Sequence, residues 1–203
     1  KKEADAQTAA EQAVAQAEHN QDPDDVTSAN AKVAAVQDPA KKQAFQDRLN
    51  QVTANVTAAR NALSALITKA KDPATTAGMS QETKDAVAAQ ATQAEQVAAN
   101  AGASVAELNA AKAALQAKLD ALRPDLSALR TAIANAEKEP AYITNDATVK
   151  QALAKAKEVE KQPSPTPAAI QKAASDLNTA VTNAKKKEAD AQTAAEQAVA
   201  QAE

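Results

Sequence analysis

Few side chains in this sequence could take part in chemistry, and they are scattered along the chain. His19 is the only histidine, and the acidic residues closest after it are Asp22, Asp24 and Asp25. Histidine and carboxylate groups bind metals, but a lone histidine forms no His–His pair and the aspartates lack the spacing of a calcium-binding loop. We therefore expect a solvated helix-end histidine and a helix N-cap here, with no metal and no other cofactor.

Tyr142 is the single tyrosine and the one candidate for contact with a partner. Aromatic residues often anchor protein interfaces. Tyr142 also lies just before a predicted helix, where its side chain could close the end of its own helical bundle. We favour the second interpretation and keep partner contact as the alternative.

The remaining composition excludes several classes of function. There is no cysteine and there are only two glycines, and no nucleophile–base pair or phosphate-binding loop is present, so we expect no enzyme. The net charge is −3 with both signs interspersed, and the basic run Lys185–Lys187 is followed by Glu188 and Asp190, which argues against nucleic-acid binding. No apolar run approaches the roughly 18–20 residues of a membrane span, so we expect no membrane insertion.

The organisation of the chain is dominated by repetition. Residues 1–18 and 186–203 are identical, KKEADAQTAAEQAVAQAE, and lie 185 positions apart. Near-perfect tandem repetition is common in spacers, stalks and multivalent binders and rare in catalytic domains. We expect one full repeat of a longer array, followed by the first residues of the next copy.

Between prolines, apolar residues recur at spacings of three and four, which predicts amphipathic helices and no strands. Alanine, the strongest helix former, supplies most of the hydrophobic fraction of 44%. The predicted helices span about 1–20, 25–37, 39–71, 80–100, 104–138, 146–162 and 167–203.

A shorter repeat of about 62 residues lies within the long one. The spacing of apolar residues recurs at this offset, so that Val87 corresponds to Val149 and Leu115 to Leu177. The predicted fold is all-α, with tandem three-helix bundles joined end to end by long shared helices into an elongated rod. The predicted domains are three units at 1–57, 58–123 and 124–185, and the first helix of the next copy at 186–203.

The shared helices are inferred from uninterrupted heptads across the unit boundaries. Apolar residues step by four and three from Phe45 to Ala70, and again from Leu115 to Ala136. Pro124 lies within the second heptad run and removes one helical hydrogen bond. We favour a kinked but continuous helix, and the alternative is a break with Pro124 as the first residue of a new helix.

The pattern Leu126-Ser-Ala-Leu129 through Ile133, followed by Tyr142-Ile-Thr, Val149-Lys-Gln-Ala-Leu153 and Ala168-Ala-Ile170 through Val181, resembles the FIVAR module. FIVAR modules are three-helix repeats of large cell-wall-attached proteins of Gram-positive bacteria. The resemblance covers 124–185 well, 58–123 moderately, with Ser80 at the Tyr142 position, and 1–57 weakly, where the sequence also resembles albumin-binding modules.

The resemblance implies an extracellular chain attached to the cell wall of a Gram-positive bacterium, and no single residue of the family defines its function. Together with the repetition, it favours a structural spacer or stalk repeat of a surface adhesin, forming a monomeric rod that projects a distal binding region. The alternative is a multivalent binding module for host extracellular-matrix or serum proteins such as albumin or immunoglobulin, in which repetition increases avidity.

Overall fold

The computed structural model describes residues 1–202, and all regular secondary structure in that range is helical, which confirms the all-α prediction. The helices of the described residues are α1 Lys2–Asn20, α2 Pro23–Ala34, α3 Pro39–Lys71, α4 Pro73–Thr76, α5 Gln81–Ala99, α6 Val105–Asp120, α7 Ser127–Glu137, α8 Ala141–Thr144, α9 Ala147–Lys161 and α10 Pro167–Ala202.

Aspartate–proline pairs begin three of the described helices, namely α2, α3 and α4. The Asp22 carboxylate accepts a hydrogen bond of 2.8 Å from the backbone N–H of Asp24, and Pro23 is the first residue of α2. Asp38 and Pro39 occupy the same positions at the start of α3. The aspartate satisfies an N–H that has no helical partner, while proline loses nothing at a position that needs no donor.

The chain divides into two compact units. Unit 1 consists of Lys1–Thr76 with Glu82–Leu122, and unit 2 consists of Ala77–Gln81 with the described residues from Arg123 onward. Each unit contains its own hydrophobic clusters, and each is described separately below.

The N-terminal cluster of unit 1 is formed by α1, α2 and the first half of α3. It is built from small and medium-sized apolar side chains, among which Val14, Val36 and Leu49 are completely buried. Phe45, the only phenylalanine, is 7% exposed and belongs to this cluster. The predicted position of Phe45 on the buried seam is therefore confirmed.

The second cluster of unit 1 is formed by the second half of α3 together with α5 and α6. Leu63, Leu108 and Leu115 are fully buried in it, and Val87 from α5 is 1% exposed. The side chain of Ser104 caps α6 by accepting the N–H of Glu107, whose carboxylate in turn accepts the N–H of Ser104. This reciprocal pair fixes the start of α6.

Helix α3 contributes to both clusters of unit 1 without interruption. Its 33 residues match the predicted span 39–71, and its length is about 50 Å at 1.5 Å per residue. Leu49 belongs to the first cluster and Leu63 to the second, while Val52 between them is 1% exposed. One continuous helix therefore contributes buried residues to both clusters of unit 1.

Unit 2 is formed around α7, α9 and the first half of α10. Leu129 and Leu177 are fully buried in its larger cluster. A smaller cluster combines Ile143 from α8 with Val149 from α9 and Ala184 from α10. Helix α10 then continues to Ala202, but none of its described residues after Ala184 is buried.

The predicted helix over 104–138 is wrong, because the chain leaves the helical conformation between Asp120 and Ser127. The favoured kink at Pro124 is therefore replaced by a break, and Pro124 is not the first residue of the next helix either. Residues 123–125 instead adopt an extended conformation, in which Met79 and Pro124 form an isolated antiparallel bridge.

Two backbone hydrogen bonds stabilise the break. The N–H of Ser80 donates to the carbonyl of Arg123 at 2.7 Å, and the N–H of Asp125 donates to the carbonyl of Gly78 at 2.9 Å. Proline has no N–H to continue the helix, so pairing with residues 78–80 satisfies backbone groups that a kinked helix would leave partly unpaired.

Gly78 is required at this bridge for two reasons. Its φ of +70° lies in the left-handed region that glycine adopts without strain. A Cβ atom at this position would lie only 2.5 Å from the Cβ of Pro167. Glycine therefore permits both the turn and the close approach of the first residue of α10.

We predict that Ala58→Pro destabilises unit 1 by about 3 kcal/mol or more, since proline removes a hydrogen bond in the middle of α3 and clashes with the preceding turn. Ala58 is exposed, so the substitution removes no core packing. Urea unfolding followed by circular dichroism measures the change.

Ala194→Pro is the matched control, because Ala194 is an exposed alanine within the part of α10 that lies beyond the cluster residues. It should lower the helical signal slightly and leave the unfolding midpoint unchanged. Equal destabilisation by the two substitutions would contradict the role assigned to the middle of α3.

Candidate functional site

The acidic residues after α1 serve local structure. Asp22 is the N-cap of α2, and the Asp25 carboxylate accepts hydrogen bonds from the side chains of Asn20 at 2.6 Å and Gln16 at 3.3 Å. His19 is exposed in the last turn of α1, where a positive charge would be favourable. Among residues 1–202 no three histidine, cysteine, aspartate or glutamate side chains are grouped so that they could hold a metal ion.

The basic run in α10 is engaged in ion pairs within unit 2. Lys186 pairs with Asp190 on the same helix at 2.7 Å. Lys185 contacts Glu139 at 2.5 Å, and Lys187 lies 3.7 Å from Asp146. The two longer-range pairs could not be read from local spacing, because their acidic partners lie more than 40 positions earlier in the chain.

The favoured interpretation of Tyr142 is wrong, because its side chain is 59% exposed and does not close the bundle. The neighbouring Ile143 does so instead and is 1% exposed. Both residues lie in the short helix α8, where successive side chains point about 100° apart, so only one of them can face the core. The structure thus leaves Tyr142 on the surface of unit 2, as a candidate contact for a partner.

Arg48 is a further polar residue that sequence reasoning missed. Its guanidinium, on α3, donates to the Glu18 carboxylate at 2.7 and 2.9 Å and to the Glu11 carboxylate at 2.9 and 3.0 Å, both on α1. The guanidinium also lies 5.9 Å from the centre of the Phe45 ring. Such two-pronged pairs fix orientation as well as attraction.

These contacts shift the pKa values of Glu18 and Arg48. The hydrogen bond from Arg48 lowers the pKa of Glu18, and the hydrogen bond to Glu18 raises the pKa of Arg48. Both shifts favour the charged forms, so the pair holds α1 against α3 at neutral pH.

Glu3 forms a second polar contact between elements of unit 1. Its carboxylate accepts the backbone N–H of Gln37 at 3.0 and 3.1 Å and that of Asp38 at 3.2 Å. The side chain of Gln7 donates to it as well, at 2.8 Å. The hydrogen bond from Gln7, followed by those from the two backbone amides, lowers the pKa of Glu3.

Arg60 ties α3 to the end of α5. Its guanidinium donates to the backbone carbonyls of Ala98 and Asn100, the latter at 2.9 Å. Carbonyls at a helix C-terminus have no partner in their own helix, and a cationic side chain satisfies them. Arg60 therefore joins α3 to a neighbouring element of the second cluster of unit 1, as Arg48 joins α3 to α1 in the first cluster.

The polar contacts of Glu3, Arg48 and Arg60 thus hold neighbouring elements of unit 1 together. Over residues 1–202 no helix combines the length and the apolar character that crossing a lipid bilayer requires. Comparisons with known protein families, with curated proteins and with solved structures found no match.

We predict that acid weakens the attachment of α1 through Glu3. Its pKa is lower in the folded chain than the ordinary 4.5, so the unfolded chain binds the proton more tightly. The stabilising contribution of Glu3 is therefore complete above pH 4.5 and is lost as the pH falls through the folded-state pKa. Glu3→Gln should reduce the fall in urea midpoint between about pH 6 and about pH 3.

Glu188→Gln is the control, since Glu188 occupies the same place in the second copy of the 18-residue sequence and accepts the equivalent hydrogen bond from Gln192 at 3.2 Å. It lies on α10 and, among the described residues, accepts no hydrogen bond from a backbone amide outside its own helix, so its replacement should leave the pH dependence unchanged. Equal flattening by both variants would contradict the assignment to those amides.

Proposed function

We propose that this chain is a structural spacer, a stalk repeat of a bacterial cell-surface adhesin that projects a distal binding region from the cell wall. The observation that carries the proposal is the continuous helix α3, which contributes buried residues to two successive clusters. A helix shared in this way converts added sequence into added length, because the next bundle forms farther along the same axis.

The repetition of the sequence supports the same function. The sequence of residues 1–18 recurs at 186–203, and α10 continues without a break from the cluster of unit 2 to Ala202. In a tandem array, α10 and the next α1 would be one helix, which repeats the arrangement seen for α3. At Pro124 the helix is interrupted instead, and residues 123–125 pair with residues 78–80 within unit 2.

The resemblance to FIVAR modules supports the location. It favours an extracellular chain attached to the wall of a Gram-positive bacterium and the division into three-helix units at 1–57, 58–123 and 124–185. Surface proteins of such bacteria commonly dispense with disulfides, and the chain contains no cysteine.

Small-angle X-ray scattering of one copy and of two tandem copies of residues 1–185 tests the proposal. Three units in line would extend about 75–90 Å, with a radius of gyration of about 25 Å. A compact chain of the same 185 residues would have a radius of gyration of about 16 Å. We expect the maximum dimension to double with the second copy, whereas growth by about a quarter, as for a sphere of twice the volume, would reject the stalk.

The exposure of Tyr142 favours a second candidate, a multivalent module that binds host matrix or serum proteins. An aromatic side chain that is 59% exposed is an anchor of the kind found at protein interfaces. Repetition would place such an anchor at regular intervals and raise avidity.

Binding of the chain to immobilised fibronectin, albumin and immunoglobulin separates the two candidates. A binding module predicts saturable binding that Tyr142→Ala weakens at least about tenfold, with little change in stability because the side chain is largely exposed. Tyr142→Phe is the matched control, which keeps the ring and removes only the hydroxyl. Absence of saturable binding, or equal binding by the Ala variant, would leave the spacer as the sole candidate.

A further inference from the structure

The same 18-residue sequence occurs in two different environments in this structure. In α1, Ala10, Val14 and Ala17 are completely buried against α2 and α3. In α10, the corresponding Val199 is 61% exposed, and the whole segment 186–202 has no buried residue. Because the sequences are identical, the difference lies in the partner surface and not in the helix.

The surface that receives α1 is a groove between α2 and α3, hereafter the α2–α3 groove. Its floor is apolar and includes Val33, Val36 and Leu49. Such a floor fits a helix whose buried stripe consists of one valine and several alanines, because small side chains allow close approach of the helices.

Three polar contacts at the rim of the α2–α3 groove fix the register of the bound helix. They are Glu3 with the amides of Gln37 and Asp38, Lys41 with Gln7 at 2.5 Å, and Arg48 with Glu11 and Glu18. They are spaced along the whole length of α1, so a helix shifted by one turn would lose all three.

The segment 186–202 carries the counterparts of the α1 residues that contact the groove at the same spacing, except that of Glu18, whose counterpart lies outside the described residues. Ala195 and Val199 repeat the apolar stripe, and Glu188, Gln192 and Glu196 repeat the polar partners. The hydrogen bond from Gln192 to Glu188 reproduces the one from Gln7 to Glu3, so the segment is already folded in the conformation that the groove accepts. Its acidic residues also complement the cationic Lys41 and Arg48.

We propose that residues 186–202 form a docking surface for the α2–α3 groove of a second copy of this chain. Within one molecule the groove is occupied by α1, so docking occurs where α1 has left it. Association is therefore head to tail, with residues 186–202 of one copy seated in the α2–α3 groove of the next. This inference concerns recognition between copies and goes beyond the spacer function, since it holds whatever the overall shape of the chain.

The test uses a full-length acceptor, Val14→Asp/Val199→Asp. The first substitution places a carboxylate in a fully apolar position and releases α1 from the groove, and the second removes the acceptor's own docking surface. The wild-type chain, with its groove filled by α1 and Val199 intact, is the donor. Mixing labelled acceptor with wild type should give a 1:1 complex in sedimentation velocity and a gain of helical signal.

The matched control donor is Val199→Asp, which differs from wild type only at the proposed contact and lies at an exposed position. It should bind the acceptor at least about tenfold more weakly than wild type does. A second acceptor, Val14→Ala/Val199→Asp, loosens α1 without burying a charge, and it covers the case in which the aspartate unfolds the groove. Binding that does not depend on Val199, or no binding of wild type to either acceptor, would overturn the proposal.

Discussion

The structure of unit 1 depends on helix α3, which contributes buried residues to both of its hydrophobic clusters. Its clusters are poor in large side chains, so each buries little apolar area and gains little stability alone. Helix α3 compensates for this low stability, because one half of it packs in each cluster. Once one half is helical, adding residues to the same helix is cooperative, so each cluster favours the helical state of the other half. The stability of either cluster is therefore a property of the pair.

An alanine-rich core also leaves the register between helices poorly defined, and the polar contacts of unit 1 define it. Alanine stripes fit one another in several registers, since they carry few features that distinguish one turn from the next. The hydrogen bonds of Glu3, Arg48 and Arg60 are directional and join different elements of unit 1. They therefore favour one register of the helices over the others. Apolar burial brings the helices together in unit 1, and hydrogen bonds decide how they align.

The sequence predicted the helices well wherever apolar periodicity and caps agreed. Helix α3 was predicted from Pro39 to Lys71 because Asp38 caps it and its heptad is regular. The same heptad argument failed at Pro124, because periodicity reports which residues are buried and not whether the backbone between them is continuous. The competing bridge with residues 78–80 depends on Gly78, about 45 positions earlier, and local spacing cannot show it.

The candidate sites show the same limit at the level of single side chains. Tyr142 and Ile143 are adjacent in α8, and the orientation of this helix decides which of them faces the core. A helix of four residues is too short to show a period in the sequence, so its orientation could not be predicted. Arg48 was missed because its partners lie on α1, although the acidic spacing of Glu11 and Glu18 on one helix face was a usable signal. Contacts between distant segments require the fold before they can be named.

The sharing of α3 between two clusters also has a mechanical consequence. A pulling load enters the first cluster of unit 1 and passes to the second through covalent backbone, without crossing a flexible tether. Peeling the first half of α3 from its neighbours would remove the support of the second half, so the two clusters should rupture in one event. A chain built this way resists small loads as a stiff element, and it extends abruptly only when the load exceeds the strength of the two coupled clusters.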